Sequence, residues 1–87
     1  MNEAWHVYII ECRTKDLYIG IAKNVTARVK EHNTGHACRY TKFRKPVALL
    51  YSEPCEGYLQ ARKREKEIKK FSRTKKLALV TRRPLAL

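Results

Sequence analysis

The sequence has few of the residues that build disulfide-rich, zinc-ribbon or membrane proteins. Its 87 residues include three cysteines, three glycines and three prolines. The odd cysteine count and the lack of a Cys-x-x-Cys spacing argue against a disulfide framework or a zinc ribbon. No run approaches the roughly 18 apolar residues of a membrane span, and no basic segment followed by an apolar stretch indicates a secretory signal. We therefore expect a cytoplasmic protein with reduced thiols and no membrane partner.

Acidic residues are also scarce. Eight Asp and Glu stand against 20 Lys and Arg, so the formal net charge is +12. The basic excess lies mainly in the second half of the chain. Residues 60–87 hold eleven basic and two acidic residues, whereas residues 1–21 hold two basic and three acidic residues. This asymmetry indicates a polyanionic partner, DNA or RNA, and association with the nucleoid in a bacterium. Charge alone does not separate a nuclease from a repressor or a ribosomal protein.

The length and the apolar content predict one folded domain. Hydrophobic residues make up 44% of the chain, which is more than disordered chains contain. A chain of this size fits a single domain, which we assign to residues 1–87 with a core from about residue 5 to about residue 81.

Periodicity predicts the element order β-β-α-β-α-α. Apolar and β-branched runs indicate strands at 5–11, 17–21 and 47–51, the last of them well buried. Helical patterns occupy 24–33, 58–71 and 73–81, and the basic segment 36–45 is predicted to be a loop. The fold class is therefore α+β, a small three-stranded antiparallel sheet flanked by helices.

Individual residues mark the ends and inner faces of these helices. Asn24 and Ser72 are good N-caps, and Gly35 can end the first helix. Leu77 and Val80 are predicted to face inward on the last helix. Two of the cysteines, Cys12 and Cys55, are expected to act as small buried hydrophobic residues.

Five residues together form a set suited to phosphodiester chemistry. Tyr8 and Tyr18 lie on the two strands of the predicted hairpin, and Arg28 and His32 share one helix face. Glu65 stands within a strongly basic helix. A carboxylate can hold a hard divalent cation that keeps most of its water. Arginine grips phosphate through paired hydrogen bonds, and a phenol or an imidazole can take a proton from water.

Taken one at a time, these residues also have ordinary structural explanations. Strand tyrosines usually pack, and Glu65 stands four residues before Lys69, a helix-stabilising spacing. A zinc site built from His36, Cys38 and Cys55 is a further alternative, but the spacings match no common ligand pattern. The residues alone leave these alternatives open.

The order and spacing of the motifs resemble the GIY-YIG nuclease superfamily, and in particular its small stand-alone members in bacteria and some viruses. The resemblance runs from Val7 to Val80. The motifs that carry it are His6-Val7-Tyr8, Tyr18-Ile19-Gly20, Arg28-x-x-x-His32-Asn33-x-Gly35, Tyr40-Thr41, Arg44-x-Pro46, Ala61-x-x-x-Glu65-x-x-Ile68-Lys69 and Lys76.

The resemblance implies a role for each member of the set. Tyr8 and Tyr18 would project into a shallow site, and Arg28 would bind the scissile phosphate. Glu65 would be the lone protein ligand of Mg²⁺ or Mn²⁺. One tyrosine would be the general base, with His32 assisting or replacing it.

The resemblance also suggests residues around the catalytic set. Gly20 would let the backbone pass close to the site, where a Cβ would not fit. The nucleic-acid contacts expected from it and from the charge pattern are Lys23, Arg39, Lys42, Arg44 and Lys69.

The leading hypothesis is a metal-dependent endonuclease that hydrolyses DNA in repair or recombination. The sequence departs from the family at His6, where the name motif has glycine, and in residues 71–74, which lack the asparagine of larger relatives. A nucleic-acid-binding module with little activity is therefore the alternative, and a protein-interaction role is a third. Because so short a chain leaves little for target selection, we expect specificity to come from its loops, from a homodimer or from a protein partner.

Overall fold

A computed structural model of the chain describes residues 4–82. The elements, in chain order, are β1 Trp5–Cys12, β2 Leu17–Ala22, α1 Val25–Thr34, α2 Arg39–Lys42, β3 Val47–Cys55, α3 Tyr58–Lys69 and α4 Arg73–Arg82. Residues 1–3 and 83–87, the two ends of the predicted domain, lie outside the described residues. Within the described part, no helix has the length and apolar character needed to cross a membrane.

The three strands form one antiparallel sheet in the order β2-β1-β3. β1 and β2 are joined by a tight turn in which Lys15 has a φ of 73°, and Tyr8 is directly opposite Gly20. β1 is therefore the central strand, and β2 and β3 are the edges. A register shift between Ile9 and Ile10 marks a bulge in the pairing of β1 with β3.

Alternate residues of β1 pack on opposite faces of the sheet, as the pleat of a strand requires. Val7 and Ile9 belong to a core with Ala61 and Ile68 of α3. Tyr8, Ile10 and Cys12 belong to a second core beneath α1. The sheet is thus covered on both faces, and the second face carries Tyr8 and Tyr18.

Several sequence predictions are confirmed. The fold class, the hairpin and the helices that flank the sheet are all present. The Asn24 side chain accepts a hydrogen bond from the Ala27 amide, and Ser72 caps α4 by accepting one from Lys75. Gly35 ends α1 with a φ of 84°, in the left-handed region that favours glycine. Local backbone chemistry therefore fixes these boundaries.

Two predicted segments are wrong in detail. The third strand continues to Cys55 instead of ending at residue 51, and it is an edge strand in which only Val47 and Tyr51 are buried, because β1 takes the centre. The basic segment 36–45 is not entirely a loop, because residues 39–42 form the one-turn helix α2. Thr41 in that turn is fully buried, so a contact with the body of the protein holds the turn.

Smaller differences concern the last two helices and the cysteines. α3 ends at Lys69 rather than residue 71. On α4, Leu79 and Val80 pack against the core, where Leu77 and Val80 were predicted. Cys12 is buried as expected, whereas Cys55 is half-buried.

Candidate active site

The site begins with the cross-strand pair of Tyr8 and Gly20. The ring of Tyr8 lies directly over Gly20, so a Cβ built on Gly20 would stand 2.6 Å from Cζ of Tyr8 and closer still to its hydroxyl. Real Cβ atoms essentially never approach another atom so closely. Gly20 therefore provides the space in which the phenol lies, the tight approach that was expected at this position.

Tyr8 is hydrogen-bonded to a buried histidine from α1. The Tyr8 hydroxyl lies 2.9 Å from Nε2 of His32, and the other ring nitrogen, Nδ1, lies 2.7 Å from Oγ1 of Thr41. Thr41 Oγ1 is in turn 3.5 Å from the Cys38 carbonyl, to which it donates. We assign the tautomer in which Nδ1–H donates to Thr41 and Nε2 accepts from Tyr8, because this tautomer satisfies every member of the chain.

Burial keeps both members of this pair neutral. His32 is 1% exposed, and its pKa is lowered from 6.5 by desolvation and by the charge of Arg28. The pKa of Tyr8 is raised mainly by burial, with further contributions from Tyr18 and Glu65 that Arg28 partly opposes. At neutral pH the pair is therefore a phenol donating to an unprotonated imidazole.

Tyr18 lies on the other side of the imidazole. Its ring meets the His32 ring edge-on at a centroid distance of 5.2 Å and stacks against Tyr40 at 5.7 Å. Burial, followed by a hydrogen bond to the Cys38 side chain, raises the pKa of Tyr18 to about 12. Tyr18 is half-buried and Tyr8 is 2% exposed, so the two phenols form a nearly closed wall and not the open shallow site that the resemblance implied.

Arg28 lies near this wall, one helical turn before His32. Its charge lowers the pKa of both tyrosines and of His32, against the larger effect of burial on the tyrosines. The Arg28 side chain is partly exposed to solvent. It forms a weak ion pair with Glu31, in which Nε lies 3.5 Å from Oε1. Arg28 is therefore free to turn toward an incoming anion.

Glu65 comes from α3, which contacts both β1 and β2. Its side chain is 8% exposed, and its charge acts on both tyrosines by raising their pKa values. Among the five site residues, the tyrosines are therefore the ones that the charge of Glu65 affects. The five residues come from four elements and are up to 57 positions apart in the chain.

A divalent cation at this site would have one protein carboxylate as its ligand, that of Glu65. In the described range 4–82, no three His, Cys, Asp or Glu side chains gather as a metal cluster, and this includes the alternative zinc set of His36, Cys38 and Cys55. Glu65 offers a single carboxylate, whose charge acts on the pKa values of both tyrosines. Mg²⁺ and Mn²⁺ suit such a site because they are hard cations. Mg²⁺ usually binds through one or two carboxylates and keeps several of its waters.

The predicted nucleic-acid contacts fall into three groups. Arg39, Lys42 and Arg44 lie in or next to α2, beside Tyr40. Lys69 is paired with Glu65 on α3. Lys23 lies against Trp5 at the far end of β2, away from the hairpin turn where Arg44 meets Asp16. The first two groups border the site, and Lys23 borders a different part of the surface.

The sequence analysis did not predict that Thr41, Cys38 and Asn33 would position the residues around Tyr8 and Tyr18. Thr41 and Cys38 fix His32 and Tyr18 through hydrogen bonds. Asn33 acts from α1, where its side-chain amide accepts from the Val47 amide at 2.6 Å and donates to the Val47 carbonyl at 3.2 Å. The dipeptide Tyr40-Thr41 was a sequence feature that could have indicated these roles. Its contacts, however, are with His32 and Tyr18, which are distant in sequence.

Comparisons with known proteins agree with this geometry. Residues 4–78 match the family described as the GIY-YIG catalytic domain. A UPF0213 protein of Staphylococcus aureus strain Mu3 is 51% identical over 77 residues, which is 88% of this chain and 94% of that protein. The UPF0213 protein SAV0488 of strain Mu50 is equally similar.

A solved structure has the same fold. The solution NMR structure of the UPF0213 protein BH0048 from Bacillus halodurans aligns with a TM-score of 0.57 at 35% identity, covering 90% of this chain and 83% of that one. The family match spans most of the chain, and His32 of the motifs contacts both Tyr8 and Tyr18. The chain therefore belongs to the GIY-YIG nuclease superfamily.

Proposed function

We propose that the protein is a metal-dependent endonuclease that hydrolyses phosphodiester bonds in DNA. The observation that carries the proposal is the hydrogen bond between Tyr8 and His32 within reach of the charges of Arg28 and Glu65. A purely structural core would not need a neutral base, a phosphate-binding cation and an acid at one point. Membership of a nuclease superfamily supports the same reading.

Arg28 binds the scissile phosphate in this proposal. Its side chain is 40% exposed, and among residues 4–82 it forms one long ion pair, with Glu31, which a phosphate would readily replace. Two N–H groups on one phosphate hold it in a fixed orientation. The same cation stabilises the extra negative charge that forms as water attacks phosphorus.

His32 receives the proton of the attacking water through Tyr8. As the water oxygen bonds to phosphorus, its proton passes to the Tyr8 oxygen, and the Tyr8 proton passes to Nε2 of His32 over the 2.9 Å hydrogen bond. The bond to the leaving sugar oxygen breaks, and that oxygen takes a proton from solvent. Thr41 keeps Nδ1 protonated, so that Nε2 remains the acceptor. Because Tyr8 is almost fully buried, only a water molecule bound directly against its hydroxyl can transfer a proton to it.

Glu65 would hold the Mg²⁺ or Mn²⁺ ion. Such an ion stabilises charge on phosphoryl oxygens and lowers the pKa of bound water. Burial of the carboxylate strengthens its attraction for a cation, because water screens the pair less.

The surface beside the site favours nucleic acid with unpaired bases. Phe43 is 71% exposed, with Lys42 Nζ 5.6 Å from its ring centroid. Tyr40 next to it is already engaged by Tyr18 and by the Arg44 guanidinium, 4.1 Å above its ring. An exposed aromatic ring between cations can stack on a base while the cations contact the backbone. We therefore infer that single-stranded or branched DNA fits better than a continuous duplex.

The test is cleavage of end-labelled single-stranded, branched and duplex DNA in Mn²⁺ or Mg²⁺. We expect the wild-type protein to cut the substrates with unpaired bases. Arg28→Ala is expected to lose about a hundred- to a thousandfold in rate, the usual effect of removing one group that stabilises transition-state charge. Phe43→Ala should weaken binding of single strands and leave duplex binding unchanged. Leu59→Ala, which removes an equally exposed apolar side chain of α3, serves as the control.

Salt-sensitive binding without cleavage in either metal would instead favour the nucleic-acid-binding module. Equal cleavage by the wild-type protein and Arg28→Ala would contradict the assignment of the site.

A further inference from the structure

The Glu65 carboxylate is held by two cations of its own helix. Arg62 Nη1 donates to Oε1 at 3.0 Å, and Lys69 Nζ lies 3.2 Å from Oε2. The carboxylate side chain is 8% exposed, whereas the Arg62 and Lys69 side chains are 46% and 54% exposed. Both carboxylate oxygens are therefore engaged by side chains that reach outward to solvent.

Helix geometry explains how the three side chains meet. Arg62 precedes Glu65 by three positions and Lys69 follows it by four, so all three lie on one face of α3. The outer face of the helix carries other lysines, including Lys63 and Lys66, which form no ion pair with Glu65. Within the part of the chain that the structure describes, the two flanking cations are the ones paired with the acid.

The charge of this cluster bears on metal binding. Two cations around one carboxylate leave a net positive charge, and a divalent cation at the same carboxylate would add to it at close range. Like charges at such distances repel, although solvent around the half-exposed Arg62 and Lys69 side chains weakens the repulsion. Anions must offset that repulsion, and the phosphates of a bound strand are the anions at hand.

We propose that Arg62 and Lys69 exchange partners during the binding of metal and substrate. They neutralise Glu65 in the free protein, and they pair with backbone phosphates when a divalent cation takes the carboxylate. This inference rests on the proposed function, because it concerns the same metal ligand. By linkage, metal and nucleic acid then strengthen each other's binding by the same factor.

The first experiment is an EPR titration of Mn²⁺ with the free protein. Arg62→Gln and Lys69→Gln should each bind Mn²⁺ about two- to fivefold more tightly than the wild-type protein, since each removes one competing ion pair. Lys66→Gln should not differ from the wild type, because it removes an equal charge that does not contact Glu65. Glu65→Gln should lose the site.

The second experiment repeats the titration with a short single-stranded DNA in an Arg28→Ala background, which suppresses cleavage. The Mn²⁺ affinity should rise by at least about tenfold when Arg62 and Lys69 are present, within the usual range of coupling between sites. The Arg62→Gln/Lys69→Gln double variant should gain distinctly less. Titration of Glu65→Gln with the same DNA corrects for Mn²⁺ bound by the DNA itself.

The two ways of failing are distinguishable. If Glu65→Gln binds Mn²⁺ as the wild type does, the metal site of the proposed function is wrong, and the exchange falls with it. If Glu65→Gln loses the site but both cation variants bind Mn²⁺ no more tightly than the wild type, only the exchange is overturned. An equal gain from DNA in the double variant would also overturn it.

Discussion

At the scale of single residues, the site depends on a glycine that touches no substrate. Tyr8 and Gly20 face each other across the hairpin, and the tyrosine ring fills the space that a side chain on Gly20 would take. The hydroxyl is thereby brought to Nε2 of His32. The tripeptide Tyr18-Ile19-Gly20 thus supplies one phenol and the space for the other.

We predict that Gly20→Ala displaces the Tyr8 ring. The added methyl group would overpack a filled space and should lower the free energy of unfolding by about 1–3 kcal/mol, measured by urea denaturation. Gly57→Ala is the matched control, because no atom lies within 4 Å of a Cβ at Gly57. A Gly20→Ala protein as stable as the control would contradict the packing described for Tyr8.

We predict that His32 makes folding stability fall at mildly acidic pH. Its pKa in the folded protein lies below the ordinary 6.5, so the unfolded chain takes up this proton more readily. Stability should be complete above about pH 7 and should decline as the pH falls through about 6. Denaturation midpoints against pH test this, with NMR titration of the imidazole as the direct readout. A His32 pKa at or above 6.5, or a pH profile unchanged in His32→Gln, would contradict it.

At the scale of elements, the Asn33 side chain links α1 to β3, in addition to the His32 hydrogen bond and the apolar packing of α1. The Asn33 amide pairs with both backbone groups of Val47 and so imitates a neighbouring strand at the start of β3. His32 directly precedes Asn33. The contact between Asn33 and Val47 therefore also helps to position the His32 imidazole next to Tyr8.

We predict that Asn33→Ala destabilises the fold by about 1–3 kcal/mol, because it leaves the backbone groups of the buried Val47 without partners. Thermal or urea unfolding measures the change. Asn33→Asp keeps the acceptor for the Val47 amide and should lose less. Equal stability of the wild-type protein and Asn33→Ala would show that the contact does not hold the helix.

The elements also show which predictions a sequence supports. The ends of α1 were predictable because Asn24 and Gly35 act on the backbone within a few residues. Helix α2 was missed because one buried residue, Thr41, holds it through a bond to His32, nine positions away. Long-range contacts of this kind leave no periodic signal. For the same reason the sequence did not predict the pairing of Tyr8 with His32, and the role of the five site residues stays a prediction.

At the scale of the whole molecule, the basic excess is unevenly placed. Lys42 and Arg44 lie over the exposed rings of Phe43 and Tyr40, and Arg39 lies in the same helix α2; among residues 4–82, Arg39 and Lys42 form no ion pair with an acid. Other lysines, such as Lys75 against Phe71, lie on α4 over the opposite face of the sheet. The basic residues that give the net charge of +12 are therefore expected to contribute unequally to the binding of a nucleic-acid strand.

We predict that Lys42→Gln reduces the salt dependence of DNA binding. Loss of one phosphate contact should lower the slope of log affinity against log salt by about 0.7–0.9. Lys75→Gln removes the same charge from the opposite side and should leave the slope unchanged. Fluorescence anisotropy at several salt concentrations measures both slopes, and equal reductions would mean that the strand does not follow α2.

The central claim is that Glu65 is the metal ligand of a nuclease site, and Mn²⁺-dependent cleavage of single-stranded DNA by two glutamine variants tests it most directly. Glu67 is the control, because it lies on the same helix, is 57% exposed and pairs with Arg64 instead. Glu65→Gln should lose at least about a hundredfold in rate, as expected when several kcal/mol of transition-state stabilisation are removed. Glu67→Gln should cleave at the wild-type rate. Cleavage by Glu65→Gln at the wild-type rate would contradict the account.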